Sequence, residues 1–259
     1  MPTWNADQYL KFANERTQPS RDLVARIALD APRAIVDLGC GPGNSTQVLV
    51  QRWPNAAVSG LDSSSAMIEA ARRDYPNQDW SVGDISAWTA APGATFDLVF
   101  ANAALQWVPH HDTLYPALMN RVAPGGALAV QVPANREAAA HATMRALAGS
   151  DAWRPRFPSD GIREWSVEDA GFYYDRLAGR AAHLDIWYTD YVHIMDSAAA
   201  IVEWYKGTGL RPFLDALPSD SLRDQFLTEY LERLKPHYPP QTDGKVLFPF
   251  RRLFLVAYK

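Results

Sequence analysis

Asp37 and three glycines, Gly39, Gly41 and Gly43, occupy alternate positions in the run Val36-Asp37-Leu38-Gly39-Cys40-Gly41-Pro42-Gly43. Glycines at that density let backbone N–H groups come close to a ligand, and a helix opening directly behind them adds partial positive charge. In dinucleotide folds such a turn holds a pyrophosphate, with glycines spaced G-x-G-x-x-G. Here Asn44 stands where the third glycine of that pattern belongs. A carboxylate at Asp37 repels a phosphate and suits a ligand bearing an ammonium group. The loop therefore points to an amino-acid-like ligand rather than a polyphosphate.

Two more acids extend that ligand. Asp62 ends a second short apolar run, 19 residues after Gly43, and Asp84 ends a third strand-like stretch from Asp79. Strand carboxyl ends line the ligand crevice of a doubly wound sheet. A carboxylate at Asp62 can accept both hydroxyls of a ribose. Its competing role is to cap a helix over 64–74, and Ser63 can cap in its place. Asp84 can accept an adenine amino group while Ile85 packs on the ring; its competing role is an ordinary turn aspartate. An amino acid joined to a nucleoside describes S-adenosylmethionine (SAM), with an ammonium, a carboxylate and a sulfonium. Asn102, after a fourth apolar run, is placed to face both this cofactor and a substrate. Cys40, Ser63, Met67 and Gln106 complete the candidate cofactor residues, whereas Leu105 and Trp107 read as packing.

The elements needed to hold these residues follow from periodicity. Helical spacing covers 5–29. Strands are expected at 33–38, 57–61, 79–82, 96–101 and 127–132, with helices at 44–52, 64–74 and 112–122. This β-α-β-α-β order requires a parallel sheet with helices on both faces. Beyond Pro133 the pattern predicts helices at 135–148 and 166–177, the latter with Ser166 and Asp169 at capping-box spacing. A loop is expected at 151–163, a strand at 183–194, helices near 197–208 and 219–235, and a last strand at 246–258. The expected fold is α/β, a Rossmann-like doubly wound, mostly parallel sheet with an antiparallel final strand and a helical cap. Its divisions are an N-terminal helical lid (1–29), a cofactor core (30–133), a helical cap segment (134–180), a returning strand (181–196), a helical substrate cap (197–244) and the final strand (245–259).

The chain has 259 residues, 47% of them apolar and 21% charged, enough for a sizeable core and too ordered in composition for a disordered chain. Net charge is −4, so a nucleic-acid partner is disfavoured. Cys40 is the single cysteine, which excludes an internal disulfide and a cysteine-based zinc site. The first residues carry no basic flank before an apolar run, and no stretch approaches a membrane span, so a cytoplasmic protein without membrane or metal is expected. Oligomeric state stays open and is compatible with a monomer.

The residues at 36–46, Asp62, Gly83-Asp84 and 100–107 resemble the class I SAM-dependent methyltransferases across 30–133. A narrower resemblance spans nearly the whole chain. Trp4-Asn5 with Tyr9-Leu10, Glu15-Arg16, Ala101 to Trp107, Ala129 to Pro133 with Asn135, Tyr173-Tyr174-Asp175, Asp185-Ile186-Trp187 and Thr208 to Phe213 are similar to the trans-aconitate 2-methyltransferase family. That resemblance implies methylation of a carboxylate of trans-aconitate to a monomethyl ester, with S-adenosylhomocysteine released. It also implies an N-terminal helix closing over SAM, with Trp4 on the adenosine, Tyr9 nearby and Arg16 on the methionine carboxylate. A carboxylate is already ionised at pH 7, so no general base is expected, and no Ser-His-Asp, His-Glu-x-x-His or phosphate-loop pattern is present. An anionic substrate calls for arginine and hydroxyl donors. Arg211 is the first candidate, followed by Tyr173, Tyr174, Tyr205, His141, His193 and Arg251. Other carboxylate substrates, an NAD-dependent oxidoreductase and a non-catalytic SAM-binding protein are the alternatives at this point.

Overall fold

The computed structural model describes residues 13–158, 162 and 166–259, with the side chains of 13–16 outside that set. Helix α1 (Ala13–Arg26) leads into β1 (Ala34–Leu38), α2 (Asn44–Arg52), β2 (Ala57–Asp62), α3 (Ser65–Asp74), β3 (Asp79–Val82), α4 (Ile85–Ala90), β4 (Phe96–Asn102), α5 (His111–Asn120) and β5 (Val122–Pro133). Helices α6 (Ala139–Ala148) and α7 (Ala170–Leu177) precede β6 (His183–Met195). Helices α8 (Ala198–Lys206), α9 (Arg211–Ala216) and α10 (Asp220–Leu234) separate it from β7 (Val246–Tyr258). The seven strands form one sheet in the order β3-β2-β1-β4-β5-β7-β6. Pairs β1–β2, β1–β4, β2–β3 and β4–β5 are parallel, and β5–β7 is antiparallel. The α/β sheet with its antiparallel last strand is as the sequence predicts.

Strand order reverses at β1, whose neighbours are β2 on one side and β4 on the other. The crevice at the carboxyl ends of β1 and β4 is thus the ligand position for this topology. Residues Ile35 to Leu38 of β1 are all buried, as a central parallel strand covered on both faces demands.

Four local differences from the sequence expectation have physical causes. Helix α7 starts at Ala170, because Asp169 caps it by accepting the Phe172 N–H at 2.8 Å, and Ser166 lies outside the helix. Strand β5 begins at Val122, before the glycine pair; its pairing with β4 shifts register between Phe96 and Leu98. A short 3-10 turn, Arg154–Arg156, interrupts the expected loop at 151–163. Helix α9, six residues long with Pro212 in its first turn, is too short to leave a periodic signal.

Two compact units are distinguished. One comprises Phe12–Pro133, Trp165–Thr189 and Arg252–Lys259; the other includes Ala134–Glu164 and Asp190–Arg251. The expected cap segment 134–180 therefore divides, with α6 in the helical unit and α7 in the sheet unit. The sheet unit contains a small cluster of Cys40, Ile68, Ala71 and Trp80 with Tyr75 packed against it. In the helical unit, Trp153 sets its edge on Phe226 at 4.9 Å and donates its indole N–H to Glu229 Oε2 at 2.8 Å. Tyr230 in the same unit donates to the Ala140 carbonyl at 3.1 Å. Among the described residues, no helix is long and apolar enough to cross a membrane.

Candidate active site

The turn after β1 is built from backbone. Gly39 N–H and Cys40 N–H both donate to the Leu61 carbonyl, at 2.7 and 3.1 Å, tying the loop to the end of β2. Gly39, Gly41 and Gly43 have φ of 73°, 55° and 96°, a region glycine enters without steric cost. They differ in what surrounds them. A Cβ on Gly39 would lie 2.2 Å from Ala104 Cβ, and one on Gly43 would lie 2.8 Å from the Tyr75 ring, whereas one on Gly41 would meet nothing within 4 Å. The outer glycines permit close packing, and the middle one faces the space a ligand can fill. The Cys40 side chain turns into the core and burial drives its thiol far up from the ordinary range, so only its backbone can address a cofactor.

Asp37 is fully buried at the end of β1. Its Oδ2 accepts from Ser45 Oγ at 2.6 Å and from Thr46 Oγ1 at 2.7 Å, both in the first turn of α2. Its Oδ1 has no partner among the described residues. Burial, opposed by the two hydroxyls, raises its pKa to about 6. A buried carboxylate oxygen left without a donor is costly, and an ammonium or its bound water supplies the missing donor.

Asp62 is engaged on both oxygens. Oδ2 accepts the Gly41 N–H and Oδ1 accepts the Ser64 N–H, each at 2.9 Å. Burial raises its pKa, against these backbone hydrogen bonds. Each oxygen keeps a second lone pair for a ribose hydroxyl. The cap of α3 is Ser64, which accepts from Met67 N–H at 3.4 Å; Ser63, a cofactor candidate and an alternative cap from the sequence, is exposed, and Met67 is buried. Asp84 is the N-cap of α4, with Oδ1 accepting the Ala87 N–H at 3.0 Å. The cap leaves its other oxygen outward, while Ile85 is buried beside it.

The segment after β4 completes this side of the crevice. Ala103 has φ of 53°, a left-handed conformation that costs an alanine about 1–2 kcal/mol. Its N–H donates to the Gln131 carbonyl at 2.9 Å, and its carbonyl accepts from Gln106 Nε2 at 2.7 Å. Asn102 Oδ1 and Gln106 Oε1 are buried and have no partner among the described residues. Backbone strain and unmatched acceptors thus coincide at this turn.

Behind this turn lies a network the sequence reading missed. His111 Nε2 is 2.9 Å from the Leu105 carbonyl and Nδ1 is 2.8 Å from Tyr173 Oη. A carbonyl only accepts, so the proton sits on Nε2, and Nδ1 accepts the Tyr173 O–H. Tyr173 Oη in turn accepts the Glu168 N–H at 3.0 Å. Burial lowers the His111 pKa and pushes that of Tyr173 up to about 12, so both stay neutral. Nothing in the local pattern around His111 announces this role. Tyr173→Phe removes both hydrogen bonds and is expected to cost about 1–3 kcal/mol, read as a lowered chemical-denaturation midpoint.

The remaining candidates are placed as follows. Trp4, Tyr9 and the Arg16 side chain lie outside the described residues. Tyr173 belongs to the network above, and Tyr174 beside it is 55% exposed. In the helical unit, Tyr205 Oη accepts from Asn135 Nδ2 at 3.3 Å and its ring meets the His141 ring edge-on at 4.8 Å. Burial takes His141 down to about 3, so it offers no charge at neutral pH. His193 packs among Trp204, Phe248 and Phe250. Arg251 makes a two-pronged ion pair with Asp190, both contacts at 2.9 Å. Arg211 opens α9 and contacts Asp215 at 3.3 Å. Among the described residues, no group of three or more His, Cys, Asp and Glu is arranged to hold a metal ion.

Residues 35–126 match a model described as a methyltransferase domain. The chain is 49% identical over 260 residues to a trans-aconitate 2-methyltransferase of Azoarcus sp. strain BH72, covering 100% of both chains. It is 48% identical to another of that name from Rhodopseudomonas palustris strain BisA53, again over 100% of each. The chain belongs to the trans-aconitate 2-methyltransferase family of SAM-dependent methyltransferases. The fold also matches a solved structure, the YcgJ protein from Bacillus subtilis, with a TM-score of 0.60 at 13% identity, covering 93% of this chain and 98% of that one. The orphan Asp37 oxygen, the open face of Gly41 and the spare lone pairs of Asp62 have the chemistry to suit SAM, the cofactor of this family.

Proposed function

We propose that the chain transfers a methyl group from SAM to a carboxylate of trans-aconitate, forming the monomethyl ester. The observation that carries this reading is full-length similarity to the family together with a crevice whose unmatched acceptors suit SAM. When bound, SAM supplies an electrophilic methyl on a positive sulfur. A substrate carboxylate oxygen held in line with that methyl would accept it, and the sulfur would keep the electron pair of the broken S–CH3 bond. No proton moves, so the chain needs no general base. Its work is to hold the reacting atoms in line and keep water out. Asp37 and the loop fix the amino-acid end of the cofactor; the strained turn at Ala103 fixes Asn102 beside it. We take the partner to be a small anion, with neither nucleic acid nor membrane involved, and the location to be cytoplasmic.

Methyl transfer from labelled SAM across a panel of small di- and tricarboxylates tests this reading. The expected result is preferential labelling of trans-aconitate; label on a different acid alone would overturn the substrate while leaving the methyl-transfer chemistry. Of the substrate residues put forward from sequence, Arg211 remains our choice in the helical unit. Arg211→Ala is expected to weaken trans-aconitate binding at least ~10-fold in titration calorimetry with S-adenosylhomocysteine present, and unchanged affinity removes it from the site.

A further inference from the structure

His111, at the start of α5, is a buried histidine that the transfer chemistry leaves unused. It is 3% exposed, and the fully buried rings of Tyr115 and Tyr173 pack against it at 5.2 and 5.8 Å. Both ring nitrogens are engaged, Nε2 with the Leu105 carbonyl and Nδ1 with the Tyr173 hydroxyl. Neither is free to take a proton from a substrate or to give one, so general acid–base work is excluded for this ring. Its bonds run instead to the turn that follows β4.

Two successive carbonyls of that turn are held from outside it. The Leu105 carbonyl accepts from His111 Nε2 at 2.9 Å, and the Gln106 carbonyl accepts the Ser166 N–H at 2.8 Å. Two residues after Ser166, the Glu168 N–H donates to Tyr173 Oη at 3.0 Å, and that hydroxyl donates to His111. The bonds therefore close a ring, which leaves the turn at Gln106 and returns to it at Leu105. Every member lies in the sheet unit. Only one tautomer closes it. A proton on Nδ1 would set a donor against the Tyr173 hydroxyl hydrogen and a lone pair against the Leu105 carbonyl.

The turn needs such support. A left-handed alanine such as Ala103 persists only where its surroundings over-determine it. Gln106 Nε2 bonds the Ala103 carbonyl, so the Gln106 amide moves with that backbone. Releasing the Leu105 carbonyl lets the turn relax, and the unmatched oxygens of Asn102 and Gln106 shift with it. A displacement of about 1 Å in groups that align a reaction can cost ~100-fold in rate.

The geometry points to His111 as a positioning residue for methyl transfer, acting through the Leu105 carbonyl on the turn that carries Asn102 and Gln106, with Tyr173 selecting its tautomer. The role rests on the proposed carboxyl methylation. Loss of His111 should therefore slow the transfer step without weakening binding to the same degree.

Two amide replacements separate the two nitrogens. His111→Gln places an N–H near the position of Nε2 and keeps a donor for the Leu105 carbonyl. His111→Asn reaches only the position of Nδ1 and takes that donor away. At saturating SAM and trans-aconitate, and at a temperature where both variants are folded, His111→Asn should lower kcat at least ~10-fold, with KM and S-adenosylhomocysteine affinity within about threefold of wild type. His111→Gln should bring kcat back to within about threefold of wild type. Heteronuclear NMR of histidine-labelled protein at neutral pH should show His111 protonated on Nε2 alone. A wild-type kcat in His111→Asn overturns the assignment, and so do equal losses of kcat in the two variants or a proton on Nδ1. So does a fall in S-adenosylhomocysteine affinity that matches the fall in kcat, because that marks a structural role. If either variant fails to fold, Tyr173→Phe decides: kcat lowered at least ~3-fold at unchanged KM upholds the role, and a wild-type kcat overturns it. If the wild type methylates another acid and not trans-aconitate, only the substrate reading fails, and the same variants are judged on that acid's kcat. If it methylates no acid, the reading and the role fall together.

Discussion

Cofactor affinity is expected to fall as pH drops below about 6, and Asp37→Asn is expected to remove that dependence. Burial raises the Asp37 pKa from 3.8 to about 6 in the folded protein. An ammonium beside it favours the ionised form and lowers that pKa, so binding expels a proton wherever the free protein holds one. The affinity for S-adenosylhomocysteine then weakens by up to about tenfold per pH unit below 6, and is flat above it. Calorimetry from pH 5 to 7.5 in buffers of different ionisation heat reads both the affinity and the proton. At pH 7.5, Asp37→Asn loses a charge-assisted contact and should bind at least ~10-fold more weakly.

The same residue makes an opposite contribution to the stability of the ligand-free fold. A folded pKa above the unfolded one stabilises below the unfolded value, and that contribution is lost as pH rises from about 4 through 6. A shift of this size amounts to about 3 kcal/mol at neutral pH. Asp37→Asn should therefore melt higher than wild type at pH 7.5 in the absence of ligand, while binding the cofactor less well. Equal or lower melting temperature would show that the hydroxyls of Ser45 and Thr46 already compensate the buried charge.

The second large effect separates two glycines of one loop. Gly39→Ala forces a Cβ to 2.2 Å from Ala104 Cβ at a φ of 73°, so either the loop or the strained turn at Ala103 must move. Backbone strain and overpacking together should cost at least ~3 kcal/mol. Gly41→Ala meets nothing within 4 Å and pays only for its positive φ, about 1–2 kcal/mol. Its methyl group, however, enters the space assigned to the ligand. Denaturant melts should rank Gly39→Ala as the less stable protein. Gly41→Ala should keep most of its stability and lose at least ~10-fold in cofactor affinity. Equal losses of stability would mean the loop tolerates no side chain for reasons other than the contact at Ala104.

Much of this was readable from residues alone, because the features in question are local. Short strand-like stretches followed by Asp62 and Asp84, and one carrying Asp37 near its end, located the strand ends to within two residues, and strand ends are where a doubly wound sheet binds ligands. Partners set by three-dimensional proximity were not readable. Ser64 and not Ser63 caps α3, since one residue of helix phase decides which hydroxyl reaches the Met67 N–H. His111 and Tyr173 are 62 positions apart, and no spacing rule joins them. The pair Arg251-Arg252 is the most instructive case. Val246, Phe248 and Phe250 are buried and Leu247 and Pro249 exposed, so the alternation carries Arg251 outward, to Asp190, and Arg252 inward, to Gln131. That period is readable from Phe248 onward and separates the two arginines by burial.

Asp62 has a bearing on how such an enzyme can be redesigned. Its carboxylate clamps the Gly41 N–H and the Ser64 N–H, so the group we propose for the sugar also braces the glycine loop. Reprogramming the enzyme for cofactor analogues altered at the ribose cannot proceed by exchanging this residue, because the loop would lose its brace with the first mutation.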